Sequence, residues 1–111
     1  INKPAFYYVN TIINSIGDIV DYKGGITNNI ERRYNDQKRS LEFNYPKLKY
    51  EQYERFHFDS GSDALKLETK LKQEIAIRSP FRDFDGGHEL FILNPLDFAR
   101  ENGWINRPPI D

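Results

Sequence analysis

The chain has 111 residues, a formal charge of −1 from 16 basic and 17 acidic side chains, and no cysteine. That length suits one domain, whose folding buries about 65% of the unfolded surface. The missing cysteines exclude disulfides, thiolate metal sites and a cysteine nucleophile. The balanced charge excludes a broadly basic surface and leaves phosphate binding to local clusters.

Hydrophobic residues form 38% and aromatics 14% of the chain, a globular rather than disordered composition. No apolar run approaches the roughly 20 residues that cross a bilayer, and no signal-peptide pattern opens the chain. No membrane partner is expected, and a cytoplasmic location is. The chain opens on Ile1 and holds no methionine, so it is expected to start downstream of its natural beginning.

In chain order, Ala5 to Ile13 (AFYYVNTII) is dense in aromatic and β-branched residues and reads as a strand. The turn NSIGD follows, with Gly17-Asp18 at its tip. Ile19 to Thr27 (IVDYKGGIT) returns as the second strand of an antiparallel hairpin. Gly24-Gly25 weakens that strand unless something must approach the backbone closely. Asn28 reads as a helix N-cap, with Glu31 three residues later, and the helix runs to about Leu41. Pro46 breaks helix, and Lys49 to Phe58 forms a third strand. DSGSD at 59–63 is a turn and cap for a second helix over Ala64 to Ile77. Residues 78–88 form a loop and Leu90 to Leu93 a short strand. Asn94-Pro95 caps a last helix that ends at Gly103. The order predicts a single α+β domain over 1–111, a small, mainly antiparallel sheet of three to four strands flanked by helices. Its core spans about 5–93, with a C-terminal helix and tail over 94–111.

Helical periodicity picks out the first residues that could carry chemistry. Ile30, Tyr34 and Leu41 share one face of the first helix, and Arg32 points away from it. Arg33 lies only about 60° from that stripe. It is near the helix N-terminus, where free N–H groups and the helix dipole favour an anion. The spot suits a phosphate; equally, Arg33 can lie along apolar surface with its head in water. On the second helix Glu68 falls inside the stripe of Ala64, Leu71 and Ile75. A carboxylate there needs a cation, an arginine partner or a wet cleft. It is a site residue, half of an ion pair with Arg33, or a glutamate at the stripe edge that escapes to water. Tyr7 and Tyr8 point to opposite faces of the first strand. His57 and His88 are too isolated for a metal pair, and DFDGGH at 83–88 lacks the ligand spacing of a calcium loop. Basic residues at 38–39, 47–49 and 66–72 read as solvated faces, with Lys72 as the exception that can track a nucleic-acid backbone.

FYYV at 6–9, YKGGIT at 22–27, NNIERR at 28–33, Glu68 in ALKLETKL and GGHELF at 86–91 together resemble the GIY-YIG nuclease domain. The nearest variety is the phage-associated branch whose second motif reads Tyr-Lys-Ile-Gly-Ile-Thr. The resemblance spans about residues 5–93. It implies an endonuclease that hydrolyses phosphodiesters in nucleic acid, with DNA the expected substrate, using one divalent metal, Mg2+ or Mn2+. It also implies a phage- or mobile-element-linked protein acting in host cytoplasm.

Matched residue by residue, the resemblance implies that Tyr7 is the first-motif tyrosine and that Lys23 stands at the second-motif tyrosine. Gly25 is then the motif glycine, Arg33 the helix arginine and Glu68 the metal ligand. Tyr22 takes the second tyrosine's part instead if the paired glycines form a bulge. Gly25, Thr27, Asn28 and Lys72 are expected along the substrate. Ala5 replaces the first glycine of the pattern, and Gly24 replaces an apolar residue. Lys23 is expected to favour the tyrosine's phenolate, since a phenol of ordinary pKa, about 10, is a poor base near neutrality. Arg33 is expected to neutralise charge growing on the phosphate. The glycines are expected to let backbone and substrate approach. The alternative is a catalytically inactive module that binds nucleic acid or protein on the same scaffold. Sequence preference is expected to come from a homodimer or from loops such as 40–50 and 78–88.

Overall fold

A computed structural model describes residues 3–106; residues 1, 2 and 107–111, the end of the expected tail, lie outside the described residues. Seven elements follow one another: β1 (Ala5–Ile13), β2 (Ile19–Thr27), α1 (Ile30–Asn44), β3 (Lys49–Phe58), α2 (Gly61–Ile75), β4 (Leu90–Phe91) and α3 (Pro95–Glu101). The strands form one antiparallel sheet in the order β3-β1-β2-β4. The expected α+β class is the observed one. No helix among the described residues is long and apolar enough to cross a membrane.

Strand alternation builds two cores, one on each face of the sheet. Tyr7 and Val9 join Leu67 and Leu71 of α2, Phe91, and Leu96 and Ala99 of α3. Ile12 joins Leu41 of α1, Leu48, Tyr50, Phe84 and Leu90. β1 is central and covered on both sides, so Tyr7 through Ile12 are all buried. Each such large side chain taken from water contributes about 1.5–3 kcal/mol, which is why a strand this apolar is found at the centre of the sheet.

Local chemistry sets the ends of the elements. In the β1–β2 turn Asn14 Oδ1 accepts from the N–H groups of Ile16 and Asp18, and Gly17 takes a positive φ of 93°. α1 is capped by Asn29 rather than the expected Asn28, with Asn29 Oδ1 accepting from Arg32 N at 3.1 Å. Thr27 Oγ1 accepts from Asn29 N at 3.0 Å, and this turn shifts the cap by one residue. α1 also runs on to Asn44, one turn past Leu41, before Pro46 prevents further helix. α2 starts at Gly61 and stops at Ile75, two residues short of Ile77, because Ile77 leaves the helix to donate its N–H to Leu90 O at 2.9 Å. β4 is only two residues long. Ile92 and Leu93, expected in it, are 71% and 44% exposed and pair with no strand. α3 has the expected Asn94 cap and Pro95 start, and ends at Glu101 with Gly103 just beyond it.

Candidate active site

The β1–β2 register runs unbroken through the paired glycines: Tyr7 faces Ile26, Tyr8 faces Gly25, and Val9 faces Gly24. The only irregularity in this pairing lies at Ile12/Ile13. No bulge therefore brings Tyr22 towards Tyr7. Tyr22 stays further along β2, stacked edge-on against Tyr53 at 5.6 Å, and burial, then Tyr53 and Asp97, push its phenol up.

The two glycines make room for tyrosines. A Cβ at Gly24 would overlap the Tyr7 hydroxyl and press on Phe91, and one at Gly25 would stand 2.5 Å from the Tyr8 hydroxyl. Both glycines are buried. The space expected to admit substrate holds two aromatic rings laid across the strand.

Lys23 is also placed differently from expectation. Its side chain is wholly enclosed (0% exposed) on the α1 face of the sheet. Its Nζ donates to Gly24 O at 2.5 Å, to Glu89 Oε2 at 2.8 Å and to the Tyr8 hydroxyl at 3.4 Å. It contacts Tyr8, not Tyr7, so the expected pairing of Lys23 with a Tyr7 phenolate is absent. A buried ammonium needs an anion, and Glu89 supplies it. The loop before β4 closes over this ion pair. Gly86, at φ 91°, presses so near that a Cβ would meet Lys23 Cε and Gln37 Nε2 at 2.8 Å, and a Cβ at Gly87 would overlap the Arg82 carbonyl. From Tyr8 a chain of hydrogen bonds runs inward. Gln37 Nε2 donates to the Tyr8 hydroxyl at 2.8 Å, the Tyr50 hydroxyl donates to Gln37 Oε1 at 2.6 Å, and Asn10 Nδ2 donates to the Tyr50 hydroxyl at 3.1 Å.

The α2 face is different. Tyr7 is 1% exposed, yet its hydroxyl makes no hydrogen bond among the described residues. The one fully enclosed, unpartnered side-chain atom among them is Arg100 Nε, so the Tyr7 hydroxyl opens to solvent at its tip. Gly24 N donates to Glu89 O at 3.0 Å and ends the β4 ladder. Two residues on, Ile26 points its N–H along the same, now uncovered, edge of β2, and this N–H favours the charged form of the nearby Glu68 carboxyl. Lys72, one helical turn after Glu68, lies 3.6 Å from Glu89 Oε1. Burial first, and the neighbouring Glu89 second, hold the Glu68 carboxyl above its usual range, against the pull of Lys72 and Lys23. Burial, then Glu68 and Glu89, push the Tyr7 phenol well above 10, so in this state it is a proton donor rather than a base.

Beyond the end of β2 the chain turns into α1. Thr27, Asn28, Asn29, Arg32 and Arg33 line a shallow cleft of about 340 Å³ there, with Asp36 and Asp85 on its wall. Arg33 is exposed in this cleft and forms no ion pair with Glu68 among the described residues; the expected alternative of an Arg33–Glu68 salt bridge does not occur. The last residues of β2 lie between the two. The site is thus two-part: carboxylates, a phenol and Lys72 on one side of β2, and an arginine-lined helix N-terminus on the other. The donor set fits a hard divalent cation, since Glu68 and Glu89 offer carboxylate oxygens beside an unpartnered hydroxyl. It does not suit a soft metal.

One participant, Gln37, was not picked out from the sequence; Tyr8 was noted only for its face of the strand and Glu89 only within GGHELF, neither with a role. Gln37 sits on the same helical face as Tyr34 and Leu41, and that polar interruption of the stripe is its signal. The signal for Glu89 is its place in GGHELF, an acidic residue shortly before the aromatic of the last strand. In comparisons with family models, with curated proteins and with solved structures, nothing matches this chain.

Proposed function

We propose that this chain is a metal-dependent endonuclease of the GIY-YIG type, hydrolysing phosphodiesters in nucleic acid, with DNA as the substrate and the cytoplasm as its place of action. The observation that carries the reading is the Tyr7 hydroxyl. It is held without a partner beside Glu68 and Glu89, on an uncovered strand edge that leads to an arginine-lined helix N-terminus.

Glu68 would hold Mg2+ or Mn2+, with Glu89 close by. When bound, the ion polarises a phosphoryl oxygen and acidifies a bound water. Arg33, Arg32 and the first N–H groups of α1 would receive the phosphate and offset charge growing on its oxygens. Tyr7, protonated, would donate a hydrogen bond to the attacking or leaving oxygen. Lys23 cannot touch substrate while it is enclosed; its part is to fix Glu89 and Tyr8 beneath the glycine strand.

The test is cleavage of supercoiled plasmid and of single-stranded DNA, with Mg2+ and with chelator, wild type beside Glu68→Gln. We expect Mg2+-dependent cleavage that falls about a thousandfold in the variant, the several kcal/mol such stabilisation supplies. Equal cleavage by both proteins would sink the assignment. The second reading is a module that binds without turnover, favoured by the enclosure of Lys23 and by the separation of Arg33 from Glu68. Retained DNA binding with no cleavage in either protein would select it.

A further inference from the structure

Lys72 lies beside one carboxylate, that of Glu89, and one helical turn after another, that of Glu68. Its ammonium is 3.6 Å from Glu89 Oε1, too far for a hydrogen bond, and it acts on Glu68 one turn back along α2. Glu89 keeps its other oxygen on Lys23 at 2.8 Å, so Oε1 retains free lone pairs. The Glu89 side chain is 25% exposed and that of Lys72 46% exposed, so the ammonium can leave for water without unburying anything. The Tyr7 hydroxyl comes to the same gap unpartnered, aimed there by the space that Gly24 leaves. Gly24 in turn bonds the Glu89 carbonyl, which ties these groups to one strand edge.

We propose that a divalent cation binds between Glu68 and Glu89 by displacing the Lys72 ammonium, beside the Tyr7 hydroxyl, and that Lys72 is thereby freed for an anionic substrate. Lys72 is then a monovalent stand-in for the ion. The carboxylate oxygens and the hydroxyl select a hard ion such as Mg2+ or Mn2+, which keeps its remaining waters. The inference rests on the metal-dependent reading for Glu68 and adds Glu89 and Lys72 to it.

The test titrates the whole chain with Mn2+ by calorimetry and with Tb3+ by tyrosine-sensitised emission, neither of which needs cleavage. Glu68→Gln and Glu89→Gln should each weaken binding about tenfold or more, through loss of ligand charge. Lys72→Met should tighten it severalfold, because the competing ammonium is gone. Tyr7→Phe should change Tb3+ emission more than Tyr8→Phe, since Tyr8 lies on the other face of the sheet. Binding unaffected by Glu89→Gln, or weakened by Lys72→Met, overturns the shared site while leaving a lone-Glu68 ion intact. No binding by the wild type overturns both. Should Glu89→Gln fail to fold, Lys72→Met decides, because Lys72 is exposed and its replacement disturbs no core. A chain that binds Mn2+ in this pattern but does not cut DNA keeps the site and loses the nuclease.

Discussion

Tyr7 and Tyr8 are adjacent on the same strand, carry the same phenol, and are almost equally buried, at 1% and 3% exposure. Their hydroxyls meet opposite treatment. Tyr8 accepts from Gln37 and Lys23, at the head of a chain that ends on Asn10. Tyr7 bonds to nothing in the described chain and faces Glu68 and Glu89. A saturated polar network rigidifies a core, whereas an unsaturated cluster at a surface is kept where a ligand completes it. The Tyr8 network is therefore scaffold, whereas the Tyr7 cluster keeps a hydroxyl open to a ligand.

The largest break in this comparison comes at the ion pair the two faces share. Glu89→Ala leaves the enclosed Lys23 ammonium without its anion, and we expect about 3–5 kcal/mol of lost stability by urea unfolding. Lys23→Met together with Glu89→Ala should recover much of that, since no charge is then stranded. A double variant as unstable as Glu89→Ala alone would mean that the loss is one of packing, not charge.

Next come the tyrosines themselves. Tyr8→Phe strands Gln37 Nε2 and one Lys23 donor, at about 1–3 kcal/mol. Tyr7→Phe removes no internal bond, so its stability should stay within about 0.5 kcal/mol of wild type, and under the proposed nuclease reading cleavage should fall. Equal destabilisation by the two would erase the distinction between the faces. Gly24→Ala and Gly25→Ala should each cost about 1–3 kcal/mol through overpacking against a ring, measured the same way.

How far all this was legible follows the range of each interaction. β1, β2 and β3 were readable to the residue from aromatic and β-branched runs, and so was the opposite orientation of Tyr7 and Tyr8, because strand alternation is local. The Asn94-Pro95 start of α3 was readable from cap chemistry. The purpose of Gly24-Gly25 was not. It depends on which β1 residue crosses each glycine, and register is a pairing property. Lys23 facing Tyr8 rather than Tyr7 follows from the same register. Glu89 is joined to Lys23 across 66 positions, a separation that no periodicity reports. The brevity of β4 likewise reflects what β2 leaves available, not the apolar run from Leu90 to Leu93.

The smallest effect tests the Tyr8 face by pH. Asp21 is buried on the face of Tyr8 and Lys23, and burial raises its carboxyl pKa although a hydrogen bond from Ser79 pulls it down. The folded protein then binds the proton more tightly than the unfolded chain. Stability contributed by the neutral carboxyl is present below the unfolded pKa, near 4, and is lost as pH rises through the folded value. Asp21→Asn should flatten that decline, by less than about 1 kcal/mol in unfolding free energy between acid and neutral pH. Ser79→Ala removes the bond that favours the charged form, so the decline should grow and extend to higher pH. If Ser79→Ala flattened it instead, the hydroxyl would be accepting from the neutral acid rather than donating to the carboxylate, and burial alone would not account for the raised pKa.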